Sequence, residues 1–332
     1  MVVKPRFGIA FQGNKTPAEY RALAETVDAY PFDVVSVYND LLFQPALGPL
    51  LWMAPLLRRA QLGPAALNPY TVHPIEIAGQ VALLDQSTNG RAYLGLVRGA
   101  WLDRIGVSQS RPVQTLRETV LLVRHLLARR PEAFSGKVWQ HAAGTTLQYA
   151  PVRDSMPVTI GTWGQATARM AGEIADEIKI GGSANPASVA MLRPAITEGA
   201  RRARRSASAV GICLGAVTVV DRDRDLARNL ARKEVAMYLP VVAALDPHTD
   251  PEWLARIRAI SQRGDLMAIT RDVPDDVLDR FAFAGTPRDI VRQVEDIAAV
   301  GATRIEFGTP LGPNPVDAIR LLGQHVLPAF WP

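Results

Sequence analysis

Eight short segments of the chain are apolar at nearly every position, whereas a half-exposed strand would alternate apolar and polar residues. Strands of this kind have both faces covered, which is typical of a parallel sheet wrapped by helices. The predicted strands lie near residues 6–11, 33–38, 61–67, 93–97, 158–161, 177–180, 211–220 and 303–307. Between them apolar residues recur with a helical period, as at Ile77, Val81 and Leu84. The pattern therefore predicts alternating strands and helices.

This alternation predicts an α/β fold of the TIM (β/α)8 barrel type, which needs about 250 residues. The remaining residues fit two insertions, near 131–156 and 221–284. The first is irregular and rich in Gly, Thr and Pro, and the second is too long for one crossover helix. We find no repeat, low-complexity tract or linker, so a single domain over residues 1–332 is predicted. A doubly wound open sheet is the alternative, but no GxGxxG motif follows the first strand.

Residues typical of helix ends stand where the predicted helices begin and end. Gly90 and Gly301 each follow a periodic helix, where a left-handed C-terminal residue is expected. Thr286 stands before Pro287, as an N-cap residue stands before a first-turn proline. The ends of several predicted helices are therefore well marked.

Composition narrows the class of protein. Of the 332 residues, 48% are hydrophobic and 21% are charged, which is the balance of a soluble globular protein. The single cysteine, Cys213, cannot form an internal disulfide, and the five scattered histidines show no zinc-binding spacing. We therefore expect no metal site.

Charge and hydropathy limit the kinds of molecule that the protein could bind. The net charge of +5 suits a small anionic ligand but is too dilute for a nucleic-acid groove. The longest apolar run, residues 210–220, is about half as long as a membrane-crossing helix. A strand begins at Arg6 without an export leader before it. We expect a cytoplasmic protein that binds a small molecule and neither nucleic acid nor membrane.

The active site of such a barrel lies in the loops that follow the strands, at their carboxyl ends. After the second strand come Tyr38, Asn39 and Asp40, followed by an apolar stretch. Asp40 could donate or relay a proton if burial raises its pKa. The alternative is that Asn39 and Asp40 only cap a turn.

The third strand ends in residues 63–70, which include Ala65, Ala66 and Asn68. Two adjacent alanines would let a flat ligand approach the backbone closely, because neither side chain rises far above it. The alternative for the alanine pair is simple core packing.

The next two loops carry features of an anion site. Arg98 can form a bidentate contact with a phosphate, and Gly99 frees a backbone amide beside it. A solvated arginine at a strand end is the alternative. The segment 161–165 opens a helix, whose N-terminal amides attract anions. Its members are Gly161, Thr162, Trp163, Gly164 and Gln165. Together the loops suggest a phosphate-ended cofactor across the barrel mouth, with its ring near the third strand.

Several segments together resemble the bacterial luciferase-like superfamily, and within it the F420-dependent 5,10-methylenetetrahydromethanopterin reductase group. The resemblance covers nearly the whole chain, and the combination of segments is more specific than any one of them. The segments are VVSVYNDLLF, LGPAALNPYTVHP, LLDQSTNGRAYLGL, VRGAWLD, PVTIGTWGQATARMAGEIADEIKIGG and FAGTPRDIVRQVEDIAAVGATRIEF.

The resemblance implies a TIM barrel with insertions, usually dimeric, that binds reduced 8-hydroxy-5-deazaflavin (F420) or FMN. It further implies a non-proline cis peptide between Ala65 and Ala66 that supports the ring. The phosphate contacts would come from residues 98–103 and 161–165. Ala100 stands where an acidic residue often follows the loop glycine, which leaves Asp103 as the nearest carboxylate.

We therefore expect an oxidoreductase that transfers hydride between reduced F420 and an electron-poor C=N or C=C bond. Asp40 is the candidate for proton handling, and the insertion at 221–284 is expected to cover the site and set the choice of substrate. One alternative is an FMNH2-dependent monooxygenase, and another is a non-catalytic flavin-binding protein. A phosphate-handling isomerase or lyase on the same barrel is a further alternative.

Overall fold

A ring of eight parallel strands forms the centre of the protein. The computed structural model describes residues 4–330. The strands of this part of the chain, three of which lie outside the ring, are β1 (Arg6–Phe11), β2 (Val34–Val37), β3 (Gln61–Pro64), β4 (Leu94–Leu96), β5 (Phe134–Ser135), β6 (Gln140–His141), β7 (Val158–Gly161), β8 (Glu177–Gly181), β9 (Gly211–Val220), β10 (Ala282–Gly285) and β11 (Arg304–Leu311). The order in the main sheet is β3-β2-β1-β11-β9-β8-β7-β4. Parallel bridges from Leu62 to Ala92 and from Leu67 to Leu96 join its two ends, so the predicted barrel is confirmed.

Each of the eight predicted strands is a barrel strand, with its ends displaced by at most a few residues. The structure adds three strands that the apolar pattern does not reveal. β5 and β6 form a short antiparallel hairpin inside the first insertion. β10 ends the second insertion and pairs with the last four residues of β9. Two-residue strands are too short to show periodicity, and the sequence AFAG of β10 is weak evidence for a strand because three of its residues are small.

Helices cover the outside of the barrel and fill the second insertion. They are α1 (Pro17–Asp28), α2 (Leu47–Met53), α3 (Pro74–Ser87), α4 (Pro112–Leu127), α5 (Gln165–Ile174), α6 (Pro186–Arg202), α7 (Arg224–Ala236), α8 (Leu239–Val242), α9 (Pro251–Gln262), α10 (Leu266–Asp272), α11 (Asp275–Phe281), α12 (Pro287–Ala299) and α13 (Pro315–Leu321). Thr286 caps α12 and exchanges hydrogen bonds with Asp289, while Gly90 and Gly301 have φ angles of 82° and 86°. The predicted helix ends are thus confirmed.

Two hydrophobic clusters hold these elements together. The larger one joins the barrel strands to the surrounding helices. The smaller one packs α7, α9, α10 and α11 against the upper part of β9 and against β10. Trp253, Ile257, Ile269 and Leu278 are among its buried side chains. Since burying one such side chain contributes roughly 1.5–3 kcal/mol, this cluster fixes the second insertion beside the barrel mouth.

Within residues 4–330, no helix combines the length and apolar character that crossing a membrane requires. In the same part of the chain, no three or more His, Cys, Asp or Glu side chains gather in a way that could hold a metal ion.

Candidate active site

A cavity of about 840 Å³ opens at the carboxyl ends of the barrel strands. Its walls come from the residues that end or follow β1, β2, β3, β4, β7 and β8, from the middle of β9, and from the second insertion. The volume lies within the usual range of small-molecule sites, about 300–1,000 Å³. All the candidate site residues of the sequence line this cavity except Asp103 and Gln165.

The end of β3 provides a flat part of the cavity wall. Ala65 and Ala66 are half-buried there, and the peptide between them is cis, as the resemblance implied. The backbones of β3 and β4 lie very close at this point, since a Cβ atom on Gly95 would meet the carbonyl oxygen of Pro64 at 2.0 Å. The glycine and the two alanines leave room for a flat ring against the backbone.

Asp40 lies on the wall beside β2 and is half-buried. The side-chain amide of Gln12 donates a hydrogen bond to its Oδ2 atom, with an N···O distance of 3.1 Å. Burial raises the pKa of the Asp40 carboxyl, while the Gln12 hydrogen bond and the positive charge of Lys179 act in the opposite direction. A carboxyl of raised pKa that faces a cavity can act as a proton donor.

The two candidate asparagines shape the loops of the cavity through their carbonyl oxygens. The Oδ1 atom of Asn39 accepts a hydrogen bond from the backbone of Ala46 at 3.0 Å, just before α2. The Oδ1 atom of Asn68 accepts from the backbones of Tyr70 and Thr71 at 3.1 and 3.0 Å. Asn39 therefore serves the turn role that the sequence left open, and Asn68 has the same role after β3.

The loop after β4 places an arginine on the cavity edge. Arg98 is exposed, and its Nε atom donates to the side chain of Gln109 at 3.0 Å. In return the Gln109 amide donates to the backbone oxygens of Arg98 and Gly99, at 2.6 and 3.0 Å. Within residues 4–330, the terminal guanidinium nitrogens of Arg98 have no hydrogen-bond partner, so they can meet an anion. Ala100 lines the cavity beside them.

The N-terminus of α5 forms the neighbouring part of the wall. Gly164 is its N-cap residue, and no side chain caps the helix. The Thr162 hydroxyl accepts a hydrogen bond from the backbone of Gly164 at 3.0 Å, and Trp163 donates from its ring nitrogen to the carbonyl oxygen of Gly181 at 2.6 Å. The first amides inside the helix therefore remain available to an anion, and the helix dipole reinforces them.

Two candidate residues have side chains outside the cavity. Asp103 is exposed and lies in a short 3-10 turn, Leu102–Ile105. Gln165 is the first residue of α5, and its side chain is exposed while its backbone begins the helix. Neither side chain is part of the lining.

Four charged residues on β8 and β11, which we call the interior network, were missed in the sequence; Arg304 and Glu306 are buried, and Glu177 and Lys179 are partly buried. Lys179 of β8 pairs with Glu306 of β11, and Arg304 pairs with both Glu306 and Glu177. Glu306 also accepts a hydrogen bond of 2.8 Å from the hydroxyl of Ser36. The signal was present, because Glu177 and Lys179 alternate with isoleucines in β8, as Arg304 and Glu306 alternate with Ile305 and Phe307 in β11.

The charges of the interior network stabilise one another. Burial by itself would raise the pKa of Glu306, but the positive charges of Lys179 and Arg304 and the hydrogen bonds from Lys179 and Ser36 lower this pKa to about 2. Lys179 lines the cavity, and its Nζ atom lies 5.2 Å from the centre of the Tyr38 ring. Of the four network residues, Lys179 is the one that lines the cavity.

The second insertion supplies one wall of the cavity, which we call the insertion wall. The ring of Tyr238 lies 6.4 Å from the ring of Trp101, so the insertion meets the loop after β4. The insertion wall consists of Glu234, Val235, Tyr238, Val241, Val242, Leu245 and Phe281.

Comparison with known proteins gives concordant results. The family model described as luciferase-like monooxygenase matches residues 2–304. The 5,10-methylenetetrahydromethanopterin reductase of Archaeoglobus fulgidus is 27% identical over 97% of this chain and 99% of that protein. The F420-dependent glucose-6-phosphate dehydrogenase of Nakamurella multipartita is 26% identical over 97% of this chain and 96% of that protein.

A solved structure extends the likeness to the fold. The coenzyme F420 dependent tetrahydromethanopterin reductase of Methanopyrus kandleri superposes with a TM-score of 0.90. The sequence identity is 26%, and the superposition covers 98% of this chain and 99% of that one.

Proposed function

This chain belongs to the luciferase-like monooxygenase family, and from that premise we propose that it is an oxidoreductase that transfers hydride between reduced F420 and an electron-poor C=N or C=C bond. The similar proteins are named as an F420-dependent dehydrogenase and as reductases, one of them called coenzyme F420 dependent. The observation that carries the proposal is the shape of one cavity. Its wall is flat at Ala65 and Ala66, and it offers anion-binding groups at Arg98 and the start of α5.

The residues of the cavity fit a flat ring with an anionic tail. Ala65 and Ala66 would face the ring, and the guanidinium of Arg98 with the first amides of α5 would hold the phosphate. When bound, reduced F420 would supply the hydride. Asp40 would donate a proton to the substrate atom next to the one that is reduced, with Gln12 orienting its carboxyl.

The shape of the cavity also bears on the alternatives. Its volume of about 840 Å³ extends from Ala65 to the insertion wall, so a second molecule has space beside the ring. This favours an enzyme over a non-catalytic flavin-binding protein. FMN has a flat ring and a phosphate as well, and an FMNH2-dependent monooxygenase is therefore the second candidate function.

Separate titrations of the purified protein with F420 and with FMN test the choice of cofactor. Fluorescence of each cofactor reports its binding. We expect saturable binding of F420 and much weaker binding of FMN. Saturable binding of FMN without binding of F420 would overturn the proposal in favour of the monooxygenase.

We further propose that the protein acts as a homodimer, as the resemblance implies, and that it works in the cytoplasm. Size-exclusion chromatography with light scattering measures the mass in solution. A mass close to 36.1 kDa, that of one chain, would contradict the dimer.

A further inference from the structure

Glu234 is a carboxylate on an otherwise largely apolar wall. It lies near the end of α7 and is half-buried, and its neighbours on the insertion wall include Val235 and Val242. Tyr238 follows one helical turn later, and its phenol is the other polar group of this wall. A carboxylate in such surroundings loses hydration without gaining a partner, which is unfavourable unless a ligand compensates it.

The carboxylate of Glu234 has no hydrogen bond and no ion pair within the part of the chain that the structure describes. The residues three and four positions away on the helix include Leu230 and Met237, and none of them is a cation. Two other carboxylates near α7, those of Asp275 and Asp279, both pair with Arg228. Burial raises the pKa of Glu234, and no neighbouring cation opposes this effect.

Glu234 lines the same cavity as Asp40, the proposed proton donor. Tyr238 lies within electrostatic range of both Asp40 and Glu234, because both carboxylates raise the pKa of its hydroxyl after the main effect of burial. Asp40, Glu234 and Tyr238 also line the same cavity. A molecule whose reducible bond lies near Asp40 can extend along the apolar wall to Glu234.

We propose that Glu234 recognises a protonated nitrogen of the substrate. The substrate class is then an organic cation, in which an amine or amidine group is joined through an apolar body to the C=N or C=C bond that is reduced. This inference rests on the proposed function for the reducible bond, but not for the charged group. A carboxylate on an apolar wall binds such a cation and disfavours a neutral analogue of the same shape.

Benzamidine and benzamide form a matched pair of probes, because they have nearly the same shape and only benzamidine is charged at neutral pH. Their dissociation constants are measured by isothermal titration calorimetry in the absence of F420. We expect the wild-type protein to bind benzamidine about tenfold more tightly than benzamide. In Glu234→Gln this preference should fall to about one.

Asp225→Asn is the matched control, since Asp225 is an exposed carboxylate on the same helix and lies outside the cavity lining. This variant should keep the wild-type preference. If Glu234→Gln does not fold, as judged by its thermal melt, Glu234→Ala takes its place with the same expectation. Equal or undetectable binding of the two probes to the wild-type protein overturns the proposal, as does an unchanged preference in the Glu234 variant.

The F420 titration of the same preparations separates this proposal from the proposed function. Binding of F420 without a preference for benzamidine leaves the oxidoreductase in place and removes the role of Glu234. A preference for benzamidine that depends on Glu234, in a protein that does not bind F420, supports the cation site and removes the proposed reaction.

Discussion

The charged residues of the interior network and the carboxylates of the cavity mouth differ in how they are paired. In the network, Lys179 and Arg304 balance Glu177 and Glu306, and Arg304 and Glu306 are fully buried. At the mouth, Asp40 has one hydrogen bond to a neutral amide, and Glu234 has no partner within residues 4–330. The network charges neutralise one another, whereas the carboxylates of Asp40 and Glu234 remain available to a ligand. The difference fits a structural role for the network and agrees with the proposal that the cavity carboxylates take part in the chemistry.

The largest expected effect is on stability, and it comes from breaking the interior network. Glu306→Gln leaves the cations of Lys179 and Arg304 without their shared carboxylate in a buried site. Removing one member of a buried ion pair typically costs about 3–5 kcal/mol. We expect a decrease of this size in the free energy of unfolding, measured by urea denaturation at neutral pH.

Asp317→Asn provides the comparison for this variant. Asp317 pairs with Arg320 on the surface, where both side chains are more than half exposed. Its loss should change the free energy of unfolding by less than about 1 kcal/mol. Equal losses in the two variants would show that the buried network contributes no more than a surface pair.

At acid pH the free energies of unfolding of the wild-type protein and Glu306→Gln should become nearly equal. The pKa of Glu306 is lowered to about 2, from about 4.5 in a free glutamate side chain. The stabilisation from its charge is therefore fully present above about pH 4.5 and is lost as the pH falls towards 2. The free energies of unfolding of the wild-type protein and Glu306→Gln, measured along this range, should converge. A constant difference between pH 5 and pH 2 would contradict the lowered pKa.

At the mouth, Asp40→Asn should affect the reaction more than the fold. If Asp40 donates the proton, its loss should slow the single-turnover oxidation of reduced F420 by an accepted substrate about 100-fold. Because burial raises the pKa of Asp40, the wild-type rate should decline as the pH rises through that pKa, and the rate of the variant should not. Asp103→Asn is the control, since Asp103 is exposed and outside the cavity lining. An unchanged rate in Asp40→Asn would remove Asp40 from the mechanism.

Much of the fold and of the mouth could be predicted from the sequence. The apolar runs of the eight barrel strands mark their number and, to within a few residues, their ends. Parallel strands of a closed barrel also all end at the same edge. For this reason the loops at Asn39, Ala65, Arg98 and Gly161 converge on one cavity although they are far apart in sequence. Asp103 is an exception, because its side chain in the 3-10 turn Leu102–Ile105 is exposed and outside the cavity lining.

The pairing of the charges could not be predicted in the same way. Lys179 and Glu306 are 127 residues apart and meet only through the register of β8, β9 and β11. The orientation of Glu234 depends on how the second insertion packs its own hydrophobic cluster. Local patterns mark a charged residue within an apolar strand, but the closed barrel determines its partner.

The smallest of these expected effects concerns Arg98, one of the proposed phosphate-binding groups of the cavity. Arg98→Gln removes a guanidinium that lines the cavity and whose Nε atom donates a hydrogen bond to Gln109. The affinity for F420, measured by fluorescence titration, should fall about tenfold, since an exposed charge-assisted contact is partly screened by salt. Arg104→Gln is the control, because it makes the same change in charge. Arg104 lies outside the cavity lining, and its guanidinium stands over the ring of Trp101. Equal losses in both variants would mean that net charge, and not contact with Arg98, attracts the cofactor.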